Sequence, residues 1–225
     1  MIDTPSPNSD IRGRTVDMVI LHYTGMETAE AALDRLRDAK AKVSAHYLIE
    51  ENGDCYRLVA EDMRAWHAGV SAWKGEYDIN ARSIGIEIVN PGHEFGYRDF
   101  PEAQIDSVVA LLKDIRKRHK IAPGYVLAHS DIAPRRKEDP GEKFPWDRFA
   151  AEGLALAPFT GDPKVGHSVS YDDARKALAE IGYDAPPGDH VAALLAFQRR
   201  FCPASLGQGF DPRTKAALAE VKRAR

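Results

Sequence analysis

The sequence predicts an α/β protein, a mixed central sheet flanked by helices, joined to a small all-α unit at its C-terminal end. Three observations carry that expectation. Short β-branched runs alternate with helical stripes through the first two thirds of the chain, helical periodicity alone remains after residue 170, and the stretch between is rich in Pro, Gly and Ser. The expected boundaries are 1–156 for the α/β unit, 157–169 for a linker and 170–225 for the helical unit.

The elements follow in order. "VDMVILHYT" (16–24) is a mostly apolar run and reads as a buried strand. In "TAEAALDRLRDAKAK", Thr28 is placed to cap a helix that gathers Ala29, Ala32, Leu33 and Leu36 on one face. "SAHYLIEENGDCYRLV" (44–59) reads as a hairpin, with Asn52-Gly53 favouring a two-residue turn at positive φ. The long stretch 60–82 has no clear period, but its two tryptophans argue against disorder and its length argues for function. "SIGIEIVN" (83–90) sets Ile84, Ile86 and Ile88 against Gly85, Glu87 and Val89, which is strand periodicity. Pro101 opens a helix with Ile105, Val108, Val109, Leu112 and Ile115 on one stripe, and "YVLAH" (125–129) is a further strand. Helices are expected over 171–182, 190–201 and 212–223; Gly182 ends the first, Asp189 caps the second, and Asp211-Pro212 opens the third.

Composition excludes several function classes. A net charge of −3 leaves no general electrostatic footprint for nucleic acid, and "RKRHK" (116–120) reads as the solvated last turn of a helix. No run approaches the roughly 18 apolar residues of a membrane span. "MIDTPSPNSDIRGR" lacks the pattern of a secretory signal, so a cytoplasmic location is expected, or a periplasmic one if the chain is a processed form. Cys55 and Cys202 are far apart and read as small buried apolar residues rather than a disulfide or a sulfur-ligated metal site. Neither a protein partner nor a nucleic-acid partner is expected.

His22, His129 and Asp139 fall at or just past strand ends, and two imidazoles with a carboxylate suit Zn²⁺ with one position left for water. With eight histidines in the chain, a structural hydrogen-bonding role for each stays open. Glu87 either points to solvent or faces a cleft where burial raises its pKa for acid/base work. Lys137 is either a solvated charge or an oxyanion donor.

"VILHYT", "SAHYLIEENG", "WHAG", "NARSIGIEIVNPG" and above all "AHSDIAPRRKEDPGEKFPW" resemble the zinc-dependent N-acetylmuramoyl-L-alanine amidases, the family that shares its fold with peptidoglycan recognition proteins. The resemblance implies one zinc ion held by His22, His129 and Asp139, with Glu87 as acid/base residue and Lys137 assisting at the oxyanion. It implies hydrolysis of the amide between N-acetylmuramic acid, or its 1,6-anhydro form, and L-alanine, with peptidoglycan or muropeptide fragments as partners. His46, Trp66, His67, Asn80, Asn90 and His93 are the expected substrate contacts; Trp66 and His93 also read as loop packing and surface. Arg135 stands where many relatives carry glycine, which places substrate preference in question. "VAALLAFQRRF" and "GQGFDPRTKAALAEV" resemble a peptidoglycan-binding module, the bland reading being a helical appendage packed on the first unit. The rival function is a non-catalytic muropeptide binder, against which His22, His129, Asp139 and Glu87 are all present. No H-E-x-x-H occurs, so the common zinc-protease arrangement is absent.

Overall fold

Alternating isoleucines set the centre of the sheet. A computed structural model describes residues 1–186 and 188–224; Pro187 and Arg225, assigned above to the helical unit, lie outside the described residues. The chain runs β1 (Ile2–Asp3), β2 (Ser9–Ile11), β3 (Met18–Tyr23), α1 (Ala29–Arg37), β4 (Tyr47–Ile49), β5 (Cys55–Arg57), β6 (Met63–Ala65) and α2 (Ile79–Arg82). It continues through β7 (Ser83–Ile88), α3 (Gly92–Phe95), α4 (Glu102–Arg118), β8 (Val126–Ala128), α5 (His129–Ile132) and α6 (Trp146–Ala151). Three helices close it: α7 (Tyr171–Ile181), α8 (Val191–Phe201) and α9 (Pro212–Arg223). The main sheet has the order β1-β5-β4-β7-β3-β8, and β4, β7, β3 and β8 are mutually parallel while β5 runs against β4.

Period two then sorts the side chains. Val19, Leu21, Ile84, Ile86, Ile88 and Val126 face one way and bury against Ile105, Val108, Leu112 and Ile115 of α4. On the opposite face Met18, Ile20 and Leu127 join one continuous apolar cluster with Leu178 and Ile181 of α7, Phe197 of α8 and Leu218 of α9. The C-terminal helices therefore share a core with the sheet. Burying a side chain such as Phe197, which is 0% exposed, is worth about 1.5–3 kcal/mol. The linker region is partly ordered by a 3-10 turn at Pro163–Ser168.

Two local readings are corrected. The β4–β5 connection is not a two-residue turn: Ile49 pairs with Cys55, leaving five intervening residues. Only Gly53 takes a positive φ there (90°), while the Asn52 side chain accepts from the Asp54 N–H at 2.8 Å, so Asn52 bends the chain with its amide rather than its backbone. At α8 the N-cap is His190, without a side-chain bond, because the Asp189 carboxylate is drawn away to Arg135 at 2.9 Å. Thr28 caps α1 and Asp211 caps α9 as their types predict, accepting from Ala31 N and Thr214 N.

The aperiodic stretch 60–82 is ordered from outside. β6 pairs with β2, which the sequence did not reveal. Buried Arg12 donates to the carbonyls of Glu61, Met63, Asn80, Ala81 and Ser83, fastening both ends of the segment. Trp73, 1% exposed, packs edge-on against Tyr183 with ring centroids 5.1 Å apart. Among the described residues no helix is long and apolar enough to cross a membrane.

Candidate metal centre

Three parallel strands deliver their C-terminal ends to one edge of the sheet, the place where open α/β sheets leave a crevice. His22 lies near the end of β3, His129 begins α5 directly after β8, and β7 carries Glu87 in register opposite His22. Asp139 arrives from the loop after α5, and its carbonyl accepts the Ser130 N–H at 3.0 Å. His22, His129 and Asp139 are all buried. His22 Nδ1 and His129 Nδ1 are 2.9 Å apart, and Asp139 Oδ2 is 3.1 Å from the first and 3.0 Å from the second.

Hydrogen bonding behind the rings fixes which lone pairs face inward. Ser83 Oγ donates to the Ile79 carbonyl at 2.7 Å and so is free to accept from His67 Nε2 at 3.1 Å. His67 Nδ1 is thereby left as an acceptor for His22 Nε2, 3.0 Å away. On the other ligand, His129 Nε2 donates to the Ala68 carbonyl at 3.2 Å. Both Nδ1 atoms therefore present lone pairs to each other and to a carboxylate oxygen. Three converging lone pairs shut away from water repel unless a cation lies between them, so the residues fit a metal ion. Their types, two imidazoles and a carboxylate, match a zinc set with an open position.

The electrostatics agree. Burial, and then the neighbouring His129, lower the His22 imidazole to about 4, with Asp139 opposing, so the ring is neutral near pH 7. Burial works to raise the Asp139 carboxyl; a proton shared at the two facing imidazole nitrogens overcomes it and holds the group below the ordinary carboxylate range, the part a cation between the three donors would play. Burial raises the Glu87 carboxyl well above its ordinary value; the Asp139 charge adds to this and Lys137 opposes it. Glu87 Oε2 is screened from solvent and has no hydrogen-bond partner among the described residues.

The centre forms the floor of a cleft of about 420 Å³. Glu87 and Lys137 line it, as do Trp66, His67 and His93 of the expected substrate contacts. His67 does so while its ring is committed behind His22, and it fits there because Gly85 has no side chain: a Cβ on Gly85 would lie 2.4 Å from the His67 ring. The structure does not bring the other three to the cleft wall. His46 is 0% exposed, between Arg12 and the Gly85 N–H; Asn80 accepts from His67 N and Ala68 N; Asn90 bonds Arg98 O and Gly92 N. The two asparagines are spent on backbone groups, and His46 on the Arg12 side chain and strand backbone, so their polar atoms are satisfied without a ligand. Sequence reasoning missed Tyr23, which lines the cleft and meets His93 Nδ1 at 2.9 Å, although an aromatic directly after a candidate ligand was a usable signal. It also missed Arg35 and Arg136, two cations that line the same cleft, the second anchored on the Ala68 and Val70 carbonyls.

Known proteins share the span that carries these residues. The N-acetylmuramoyl-L-alanine amidase family model matches residues 12–142, a span that contains all three donors, Glu87 and Lys137. The chain is 35% identical to the N-acetylmuramoyl-L-alanine amidase AmiD of Escherichia coli, over 92% of this chain and 82% of that protein. It is 34% identical to the 1,6-anhydro-N-acetylmuramyl-L-alanine amidase AmpD of Enterobacter cloacae, over 64% of this chain and 74% of that one. The structure of the Escherichia coli AmiD in complex with the substrate anhydro-N-acetylmuramic acid-L-Ala-D-gamma-Glu-L-Lys superposes with a TM-score of 0.84 at 31% identity, covering 98% of this chain and 93% of that one.

Proposed function

This chain belongs to the N-acetylmuramoyl-L-alanine amidase family, and on that premise we propose that it is a zinc-dependent hydrolase. Its bond is the amide joining the lactyl group of N-acetylmuramic acid, or of the 1,6-anhydro sugar, to the L-alanine of a stem peptide. The observation that supports this reading best is the convergence of His22 Nδ1, His129 Nδ1 and Asp139 Oδ2 beneath a cleft that also holds Glu87.

A zinc ion held by these three side chains would polarise the amide carbonyl and acidify a water. The chain's own residues do the rest. Glu87 accepts a proton from the attacking water and later delivers one to the departing L-alanine nitrogen; its raised pKa favours the second task. Lys137 donates to the oxygen on which negative charge develops. Trp66 and Tyr23 wall the cleft, and Arg35 and Arg136 supply positive charge for the carboxylates of a stem peptide. A pure binding protein has no use for a carboxylate oxygen screened from water and unpartnered beside its ligand, and among the described residues Glu87 Oε2 is such an atom.

Peptide release from a 1,6-anhydromuropeptide is the test. Release should require zinc, stop on chelation and resume when zinc is restored. His129→Ala should lose both metal and activity. Release that persists in the fully chelated protein would overturn the assignment.

A further inference from the structure

The loop that carries His129, Lys137 and Asp139 is held from the far end of the chain. Asp131, 0% exposed and two residues after His129, receives the Ala128 N–H on Oδ2 at 2.9 Å and the Tyr183 hydroxyl on Oδ1 at 2.6 Å. Arg200 of α8 donates to Oδ2 as well, reaches the Val126 carbonyl at 2.9 Å, and lies over the Trp146 ring at 4.0 Å. Further along the loop, Arg199 of α8 pairs with Glu138 at 2.9 Å, one residue before Asp139. Arg135 pairs with Asp184 at 2.8 Å and Asp189 at 2.9 Å, in the segment between α7 and α8. Arg135 therefore faces the helical unit, and it is not among the residues lining the cleft.

A buried pair such as Arg200–Asp131 is a poor source of net stability, because desolvating two charges offsets most of their attraction. As a device that fixes geometry it is apt, since every oxygen of Asp131 has a donor of fixed direction. We propose that the C-terminal helical unit is a clamp on the metal-ligand loop. Tyr183 and Arg200 act through Asp131 to position His129, while Arg199 and Arg135 act through Glu138 and the loop backbone to position Asp139. The helices are then part of the metal site's support rather than only a wall-binding attachment. This rests on the zinc reading above, since without a metal there is nothing to position.

The test measures zinc dissociation constants by chelator competition on the full chain, alongside melting temperatures of the metal-free protein. Arg199→Gln, Arg135→Ala and Tyr183→Phe should each weaken zinc binding, by about tenfold as for other outer supports of metal ligands. The sign is diagnostic. Removing a nearby cation, by charge alone, strengthens the binding of a dication, so a weaker site in the two arginine variants reports lost positioning. Arg135 has a side chain 40% exposed, so its replacement does not endanger folding. Leu218→Ala, on α9 in the apolar cluster that joins the helices to the sheet, should lower the metal-free melting temperature and leave zinc affinity within about twofold. Unchanged or tighter zinc binding in the arginine variants would overturn the clamp. So would a Leu218→Ala variant that weakens zinc as much as they do, which would reduce the effect to general stability. A wild-type chain that binds no zinc would overturn both this inference and the function it rests on.

Discussion

His67 Nδ1 lies 3.0 Å from His22 Nε2, on the side of the His22 ring turned away from His129 and Asp139. With Ser83 fixing His67 in turn, the chain Ile79–Ser83–His67–His22 leaves only one arrangement of protons that satisfies each link. His67→Ala would strand a buried N–H and free the His22 tautomer. Zinc affinity should fall about 10- to 100-fold, and Ser83→Ala should produce a smaller loss in the same direction. Affinity in His67→Ala within twofold of wild type would show that His22 needs no such support.

The same contact makes Gly85 testable. An added methyl would meet the His67 ring at 2.4–2.6 Å, inside any real contact, so the ring must swing off His22. Gly85→Ala should therefore weaken zinc nearly as much as His67→Ala. Combined with His67→Ala it should cost little more, because the obstacle is gone; a double-mutant cycle on zinc affinity measures the coupling. Additive losses would mean that Gly85 acts elsewhere.

How far the sequence could see is explained by range. Strand alternation in "SIGIEIVN" separates Glu87 from its isoleucine neighbours, and the β3 pattern puts His22 on that same face, so the heart of the site was readable from local periodicity. The helix caps Thr28 and Asp211 are local chemistry and were readable too. His67 was not, because the histidine of "WHAG" looks the same whether it touches substrate or stands behind a ligand. Asp189 was not, since the attraction that removes it from its capping position comes from Arg135, 54 residues away. Arg200 and Asp131 lie 69 residues apart, and no period in either segment announces a buried ion pair. His46, Asn80 and Asn90 were polar residues within recognisable blocks, and nothing local in those blocks announces the backbone groups to which they bond.

Glu87 should separate activity from stability. Among the described residues its Oε2 makes no hydrogen bond that the fold would lose, so Glu87→Gln should keep zinc and melt within about 2 °C of wild type or higher. Turnover should nevertheless drop about 10²- to 10⁴-fold, the usual contribution of a positioned acid/base group. Turnover near wild type in a zinc-loaded Glu87→Gln protein would remove it from the proton path.

Part of the acid sensitivity should trace to Glu61, which is not among the residues lining the cleft. Its carboxylate accepts from the Tyr47 hydroxyl at 2.7 Å, from Arg118 at 2.7 and 3.0 Å, and from His119 at 2.7 Å, joining β4, the aperiodic stretch and the end of α4. Burial works to raise its pKa, but these donors overcome it and bring it down from 4.5 to about 2. A depressed carboxyl stabilises the fold fully above the unfolded value near 4.5, and that contribution is lost as pH falls through about 2. Arg118 is 41% exposed, so solvent screening trims the gain to about 1–2 kcal/mol. In chelator, to exclude metal release, Glu61→Gln should unfold at lower urea than wild type near pH 7. The two midpoints should converge as pH falls from about 4.5 towards about 2, because wild type then loses what the variant never had. A gap between the midpoints that stays constant down to about pH 2 would mean that Glu61 contributes by packing and not by charge.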